Sequence, residues 1–310
     1  MLKSLVLLSS IAFLTAFSIH SQTMKGFDLS NSSIPAGEIK DGGPPKDGIP
    51  SIDKPKFIGG DKTTLNDSDR VLGVKENGIA KAYPIKIMNY HEIVNDNFGD
   101  KPVVVTYCPL CGSGIAFDAT VRGEPKTFGV SGLLYNSDVL LYDRETESLW
   151  SQLRYEAVAG PLAGEQLEIL NTSNTTWKEW KNKNPGTLVL SENTGYKRNY
   201  DVDPYPGYES SSDIYFSVSE KDDRFHPKET VIGLEVNGKY KSYPFSELEK
   251  IKGNTLNDNF QGKKFRIIYN PEAKSAEILD AEGKPVPAVT NFWFAWYAFH
   301  PEMEVFEVAD

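Results

Sequence analysis

Cysteine is nearly absent from this chain: its 310 residues carry two, Cys108 and Cys111. That excludes a fold stapled by disulfides, so stability has to come from a buried core. An aromatic content of 12% is enough to supply one. The same scarcity excludes a complete zinc ribbon, which needs a second cysteine pair. Positive charge is in deficit, with 33 Lys and Arg against 43 Asp and Glu and a formal net charge of -10. No basic cluster escapes that average, which argues against nucleic acid as a partner. Long apolar runs are missing beyond the start of the chain. The opening MLKSLVLLSSIAFLTAFSIHSQ has Lys3, an apolar run from Leu5 to Phe17 and small polar residues from Ser18 to Ser21. This is the anatomy of a secretory signal peptide over residues 1–21, and the run is short for a membrane anchor. No cysteine stands near the expected cleavage point, so an N-terminal lipid anchor is not available. Nothing later approaches the ~20 apolar residues of a spanning helix. The expectation is an extracytoplasmic protein, periplasmic or secreted, with no transmembrane segment after cleavage.

Punctuation and repetition organise the rest of the chain. Residues 22–56 are rich in Pro, Gly, Ser and Lys without a sustained period and read as an extended arm, with folded structure expected from about Phe57. Beyond it, RVLGVKENGIAKAYPI (70–85) is matched by TVIGLEVNGKYKSYPF (230–245), NDNF (95–98) by NDNF (257–260), and VVVTYCP (103–109) by FRIIYNP (265–271). Each copy reads as a hairpin turning at Asn-Gly, a short helix, and a strand ending at Tyr-x-Pro. The expected fold is α+β, dominated by antiparallel sheet with few short helices. It divides into two pseudo-repeated halves, 57–225 with the cysteines and 226–310 without them. Between the copies, residues 128–153 alternate as two or three strands. NTTWKEWKNKNPG (174–186) reads as a short helix capped by Asn174 or Thr175, and the terminal NFWFAWYAFHPEMEVFE as a deep aromatic strand.

The duplication is an internal control on the cysteines. Cys108 stands opposite Asn270 and Cys111 opposite Ala273, so the second copy makes its strand and turn without them. Cys108-Pro-Leu-Cys111-Gly has the form of a metal knuckle, in which a two-residue spacer lets both thiolates bind one ion. His91 and Met88, on one face of the predicted helix, are the candidate partners. A Cys, Cys, His set with Met nearby favours copper or zinc over magnesium or calcium. Two other readings stand beside this one. The pair can be a thiol-disulfide redox site, although the GSGIAFD after it lacks the helix such chemistry uses. It can also be a structural disulfide bracing a module that binds a small ligand or an envelope partner. Met88 and His91 are equally readable as core residues.

A second polar set, Ser131, Asn136, Asp138, Asp143, Arg144 and Gln152, with Arg198 and Tyr200 in a long loop, is a candidate pocket, or else ordinary turn polarity. His226 and His300 each precede Pro, and His300 is the better spare ligand. At MNYHEIVND, TYCPLCGSG, FGVSGLLYNSD, LYDRETESLWSQ and TGYKRNYDVDPY the chain resembles a bacterial and archaeal family, domain of unknown function 3179. Met88, His91, Cys108, Cys111, Ser131, Asn136, Asp138, Asp143, Arg144, Arg198 and Tyr200 fall on that family's motif residues. The resemblance implies an exported or envelope protein and brings no established activity.

Overall fold

The computed structural model describes residues 23–309; the leader expected over 1–21 lies outside them. The protein is mostly antiparallel β-sheet, 41% strand against 12% helix, as the strand patterning predicts. Five sheets of three to five strands, with two small ribbons, are arranged like the blades of a five-bladed propeller. Among the described residues four short α-helices join them: α1 (Ile85–His91), α2 (Trp177–Lys183), α3 (Phe245–Leu248) and α4 (Trp293–Phe299). Among the described residues no helix is long and apolar enough to cross a membrane.

The two similar stretches of sequence adopt the same element order. Arg70–Glu76 and Ile79–Pro84 form a hairpin through Asn77-Gly78, and Thr230–Val236 and Lys239–Pro244 form one through Asn237-Gly238. All four turn residues have positive φ. A type I′ turn demands this of both its central residues, and Asn and Gly meet the demand at least cost. Next come α1 or α3 and three consecutive antiparallel strands: Ile93–Phe98, Lys101–Cys108 and Ser113–Asp118 in one case, where Ile169–Leu170 adds a fourth strand to the sheet, and Thr255–Phe260, Lys263–Asn270 and Ser275–Leu279 in the other. The hairpin and the sheet are tied by the same buried contact. Lys81 pairs with Asp96 at 2.8 Å and Lys241 with Asp258 at 2.8 Å, and Tyr83 and Tyr243 donate to those same carboxylates.

The correspondence extends further than the sequence alone indicates. Thr172–Thr176 pairs with Arg70–Glu76 and leads into α2, while Val289–Phe292 pairs with Thr230–Val236 and leads into α4. Each helix sets a tryptophan on a strand glycine: a Cβ at Gly73 would overlap the Trp180 ring, and one at Gly233 the Trp296 ring. The fifth sheet comes from the intervening segment, Phe128–Tyr135, Asp138–Asp143, Leu149–Ser151 and Glu156–Ala159. Five sheets are therefore the visible division.

Three local expectations are corrected. The terminal aromatic stretch is a strand only to Phe292 and then becomes α4, in which Trp293 and Trp296, three residues apart, are both fully buried. The cap of α2 is Thr176, whose side chain accepts from the Glu179 amide at 3.4 Å. Packing also begins well before Phe57. Phe27, Leu29, Ile34 and Ile39 are buried against Leu133, Leu140 and Tyr142, and Lys40–Asp41 adds an edge strand beside Leu133 and Leu134. Single apolar residues scattered through Pro and Gly carry no period, yet each buried one contributes about 1.5–3 kcal/mol.

If the tryptophan-on-glycine contacts organise the two hairpins, Gly233→Ala should lower unfolding free energy by about 1–3 kcal/mol in urea titrations. Gly37→Ala, where nothing lies within 4 Å of the new Cβ, is the matched control and should change little.

Candidate metal centre

Cys108 ends the strand Lys101–Cys108 opposite Ser113, and Cys111 sits in the turn between them. Gly112 makes the turn possible: it has φ +60°, and a Cβ there would strike the Phe292 ring at 2.8 Å. The turn is clamped from two sides. Phe292 donates its amide to the Cys111 carbonyl at 2.8 Å, and both sulfurs lie on the Ser137 carbonyl, at 3.7 Å for Cys108 and 3.4 Å for Cys111. Both residues are free thiols with 1% and 0% exposure. In the second hairpin-and-sheet unit Asn270 stands where the first has Cys108, and its Oδ1 accepts from the Glu272 and Ala273 amides at 3.0 and 3.1 Å. An Asx turn thus does the structural work there, with no sulfur.

The third member is Asp138. The sulfurs of Cys108 and Cys111 and a carboxylate oxygen of Asp138 all lie within 4.8 Å of one another, and this is the one such cluster of three among the described residues. Asp138 follows the Asn136-Ser137 turn, whose positive φ values of 50° and 64° fold the hairpin back over the cysteines. Its Oδ2 accepts from the Leu153 amide at 3.0 Å, whereas Oδ1 has no hydrogen-bond partner. Burial pushes this carboxyl up to about 7, against the pull of the Leu153 and Val139 amides and the two thiols. Burial also raises both thiols, Cys111 further because of its contact with Cys108. Two sulfurs and one oxygen at this spacing form a donor set that can hold a metal ion. Tetrahedral zinc, with Zn–S near 2.3 Å, wants its ligand atoms ~3.7 Å apart, so closure by no more than ~1 Å suffices.

Of the other residues predicted for the site, few come near it. His91 is buried but satisfied: Nδ1 bonds the Pro50 carbonyl and Nε2 the Tyr200 hydroxyl, each at 2.7 Å, and Tyr200 in turn bonds Thr194. Burial depresses its pKa, as expected of a neutral core imidazole. Met88 packs among Leu72, Tyr83 and Ile87, in a different apolar cluster from the cysteines. Arg198 is exposed and, among the described residues, donates only to the neighbouring Lys197 carbonyl. Ser131 stabilises a bulge by donating to the Leu140 carbonyl and accepting from the Leu133 amide. Asp143 organises its own turn by accepting from Thr146 and from Trp150 Nε1. Arg144 ties down the arm through Asp53 and Ser51, both at 2.8 Å. Asn136 is closer in, bridging to the Ala298 carbonyl and the Ser219 amide beside the Ser137 turn.

Two participants escape a reading by motif. Glu92 is buried, its carboxyl pushed up to about 8 first by burial and then by the charge of Asp138. It has φ 56°, where the second copy has Asn254 at φ 55°. Its carbonyl accepts the Tyr107 amide at 2.7 Å, as that of Asn254 accepts the Tyr269 amide at 2.9 Å. The fold demands a left-handed residue here, and Asn fills that role more cheaply than Glu. Glu in the first copy is the signal that the sequence offers. Lys228 is 5% exposed and makes no ion pair among the described residues; its ammonium donates to the Asp213 carbonyl at 2.6 Å over the Tyr208 ring. Burial lowers its pKa, against the charge of Asp213 first and of Cys111 second, which raise it. Thiolate at Cys111 and ammonium at Lys228 thus stabilise each other.

In metal-free protein the two raised carboxyls make a signed pH dependence. Folded protein keeps these protons up to about 7 at Asp138 and about 8 at Glu92, whereas the unfolded chain releases both near pH 4. Their contribution is therefore complete below pH 4 and is lost as pH rises, by about 1.4 kcal/mol per pH unit for each group between those limits. Urea titrations in chelator at pH 5.5 and 7.5 should show this loss, and Glu92→Gln should reduce the slope. An unchanged slope would contradict the assigned burial.

A family model described as Protein of unknown function (DUF3179) matches residues 46–284. No curated protein and no solved structure matches the chain. The matched span holds both cysteines, Glu92, Asp138 and Lys228 and covers most of the described fold, so the chain belongs to the DUF3179 family of proteins of unknown function.

Proposed function

We propose that this is an exported metal-binding protein whose site is Cys108, Cys111 and Asp138, with zinc as the fitting ion. The observation that carries the reading is the cluster itself: two sulfurs and a carboxylate oxygen within 4.8 Å, all fully buried. The oxygen that lacks a hydrogen-bond partner supports it, because a buried carboxylate without one is costly unless a cation completes it. Charge supports it as well. Two thiolates, one carboxylate and a divalent ion leave one negative charge, and Lys228 supplies the opposite one nearby. With Met88 packed elsewhere, the mixed sulfur and oxygen set suits zinc better than the softer cuprous ion.

The thiol-disulfide reading is weaker, because reactive cysteines are partly exposed with depressed pKa values, while these are buried with raised ones. Residues 1–21 are proposed as the export leader, 22–56 as an arm strapped over the first part of the fold, and the remainder as two copies of one unit with a fifth sheet inserted. The shared turns, Lys-Asp-Tyr contacts and tryptophan-on-glycine packing support the duplication.

The test is zinc content and free-thiol count on one reduced sample of the mature protein. The reading expects one zinc per chain, lost in Cys108→Ser and in Asp138→Ala. Lys228→Met should keep the stoichiometry but weaken zinc ~10–100-fold, the usual range for outer partners of a site. Reduced protein that takes up no stoichiometric zinc would sink the proposal.

A further inference from the structure

The two sulfurs and the carboxylate oxygen supply three donors, and no fourth His, Cys, Asp or Glu joins the group among the described residues. A tetrahedral ion takes four. Whether the fourth comes from the protein decides what the site can do, since structural zinc is enclosed by protein ligands whereas catalytic zinc keeps one position open. The deciding atom is the Ser137 carbonyl oxygen. Both thiols donate to it, Cys108 Sγ from 3.7 Å and Cys111 Sγ from 3.4 Å. With Zn–S near 2.3 Å and Zn–O near 2.1 Å, tetrahedral angles set sulfur and oxygen ligands ~3.6 Å apart. The carbonyl therefore already stands at ligand spacing from both sulfurs.

Its hydrogen bonding points the same way. The two thiols are the only donors that reach it among the described residues. Zinc binds cysteine as thiolate, so loading the site releases both protons and strips this oxygen of its partners. A buried carbonyl that faces two thiolates is costly unless a cation replaces the protons. The turn has little freedom to move aside, with Asn136 and Ser137 only 3% and 1% exposed. Ser137 Oγ donates to the Phe216 carbonyl at 2.7 Å, and Asn136 binds the Ser219 amide and the Ala298 carbonyl at 2.8 and 3.2 Å. Charge favours a carbonyl as well. It adds none, so Lys228 still balances the site, whereas Glu92 in that position would leave one buried negative charge unmatched.

We infer that the Ser137 carbonyl is the fourth ligand, so that the site is closed and its ion acts as a structural clamp on the segment between Leu190 and Thr230. The inference rests on the metal reading and adds to it the complete ligand set and the role. That segment contains no strand and one 3₁₀ turn, Tyr208–Ser210. It is anchored on both sides of the site: Phe216 and Ser219 bind the Asn136-Ser137 turn, and the Ser211 and Asp213 carbonyls accept from Lys228 at 3.4 and 2.6 Å. Tyr208 packs in the same apolar cluster as both cysteines. An ion that fixes the turn and holds Lys228 by charge thereby fixes residues 208–219.

The experiment loads the mature protein with cobalt(II) and, separately, with zinc. One cobalt per chain is expected, with the intense visible bands of four-coordinate thiolate cobalt, unchanged by azide up to ~10 mM, tenfold above a weak ~1 mM dissociation constant. Glu92→Gln removes the competing carboxylate and should leave the spectrum and its indifference to azide intact. In hydrogen exchange, zinc should slow the amides of 208–219 by ~10-fold or more and leave the Asn237-Gly238 hairpin unchanged. Ser137→Gly suits the φ of 64° and keeps the carbonyl while losing the bond to Phe216. It should retain one zinc per chain, and the protection gained at 213–219 should fall ~5-fold. A saturable azide response in stoichiometrically loaded protein, an azide-sensitive Glu92→Gln, exchange in 208–219 that ignores zinc, or undiminished protection in Ser137→Gly would overturn this inference and leave the metal reading standing. Failure to take up either ion would sink both.

Discussion

Asp138 lies fully buried, one carboxylate oxygen on the Leu153 amide and the other without a hydrogen bond of good geometry beside the two thiols, and much of the surrounding architecture reflects the need to keep it there. A carboxyl group withdrawn from water either holds its proton or finds a cation. Near neutrality this one is balanced between the two, with its pKa raised to about 7. The thiols beside it are under the same pressure, since burial raises them too. Three groups that each resist ionisation become anionic together only if positive charge enters among them. Lys228 alone is one charge, and its ammonium is engaged with a backbone carbonyl. The remaining deficit is what a divalent ion would fill.

The two related units make this argument stronger than a single site would. In the second unit the turn after the strand is held by Asn270, and the left-handed position before the hairpin is occupied by Asn254. Both are the inexpensive solutions to a backbone problem. In the first unit the same backbone carries Cys108 and Glu92, which solve that problem less well and bring ionisable groups into a dry interior. Local stability does not account for the exchange, so the warrant for these residues has to be sought in what they hold.

The strand-rich class, the Asn-Gly hairpins, the knuckle at the cysteines and α2 are legible in the sequence because each rests on local chemistry: turn residues with positive φ, alternation, a capped helix. The third site residue is not. Asp138 is one polar residue among six in its segment, and only the fold of the Asn136-Ser137 turn over the cysteine strand distinguishes it from Asp143, which serves its own loop. His91 is the more attractive choice from its proximity in sequence, yet the end of α1 turns its ring toward Pro50 and Tyr200. The burial of the arm is hidden for a related reason. Phe27, Leu29, Ile34 and Ile39 have no common period, and their partners on the inserted sheet are distant in the chain. The terminal helix passes for a strand because aromatic residues suit strands, and only their spacing, matched by Trp177 and Trp180 in α2, betrays a helix.

The second unit contributes support at close range. Phe292 fixes the Cys111 carbonyl, and its ring fills the space that obliges residue 112 to be glycine. Ala298 receives the Asn136 amide, and Phe216 and Ser219, from the linking segment, hold Ser137 and Asn136 in place. Lys228 enters at the start of the same unit. The wall that carries the cysteines therefore belongs to the first hairpin-and-sheet unit, and the wall that presses on them to the second. A second hairpin-and-sheet unit without cysteines is not redundant in such an arrangement. It is free to serve as a rigid backing, and a rigid backing is what brings the sulfurs and Asp138 within one ion's reach without backbone rearrangement.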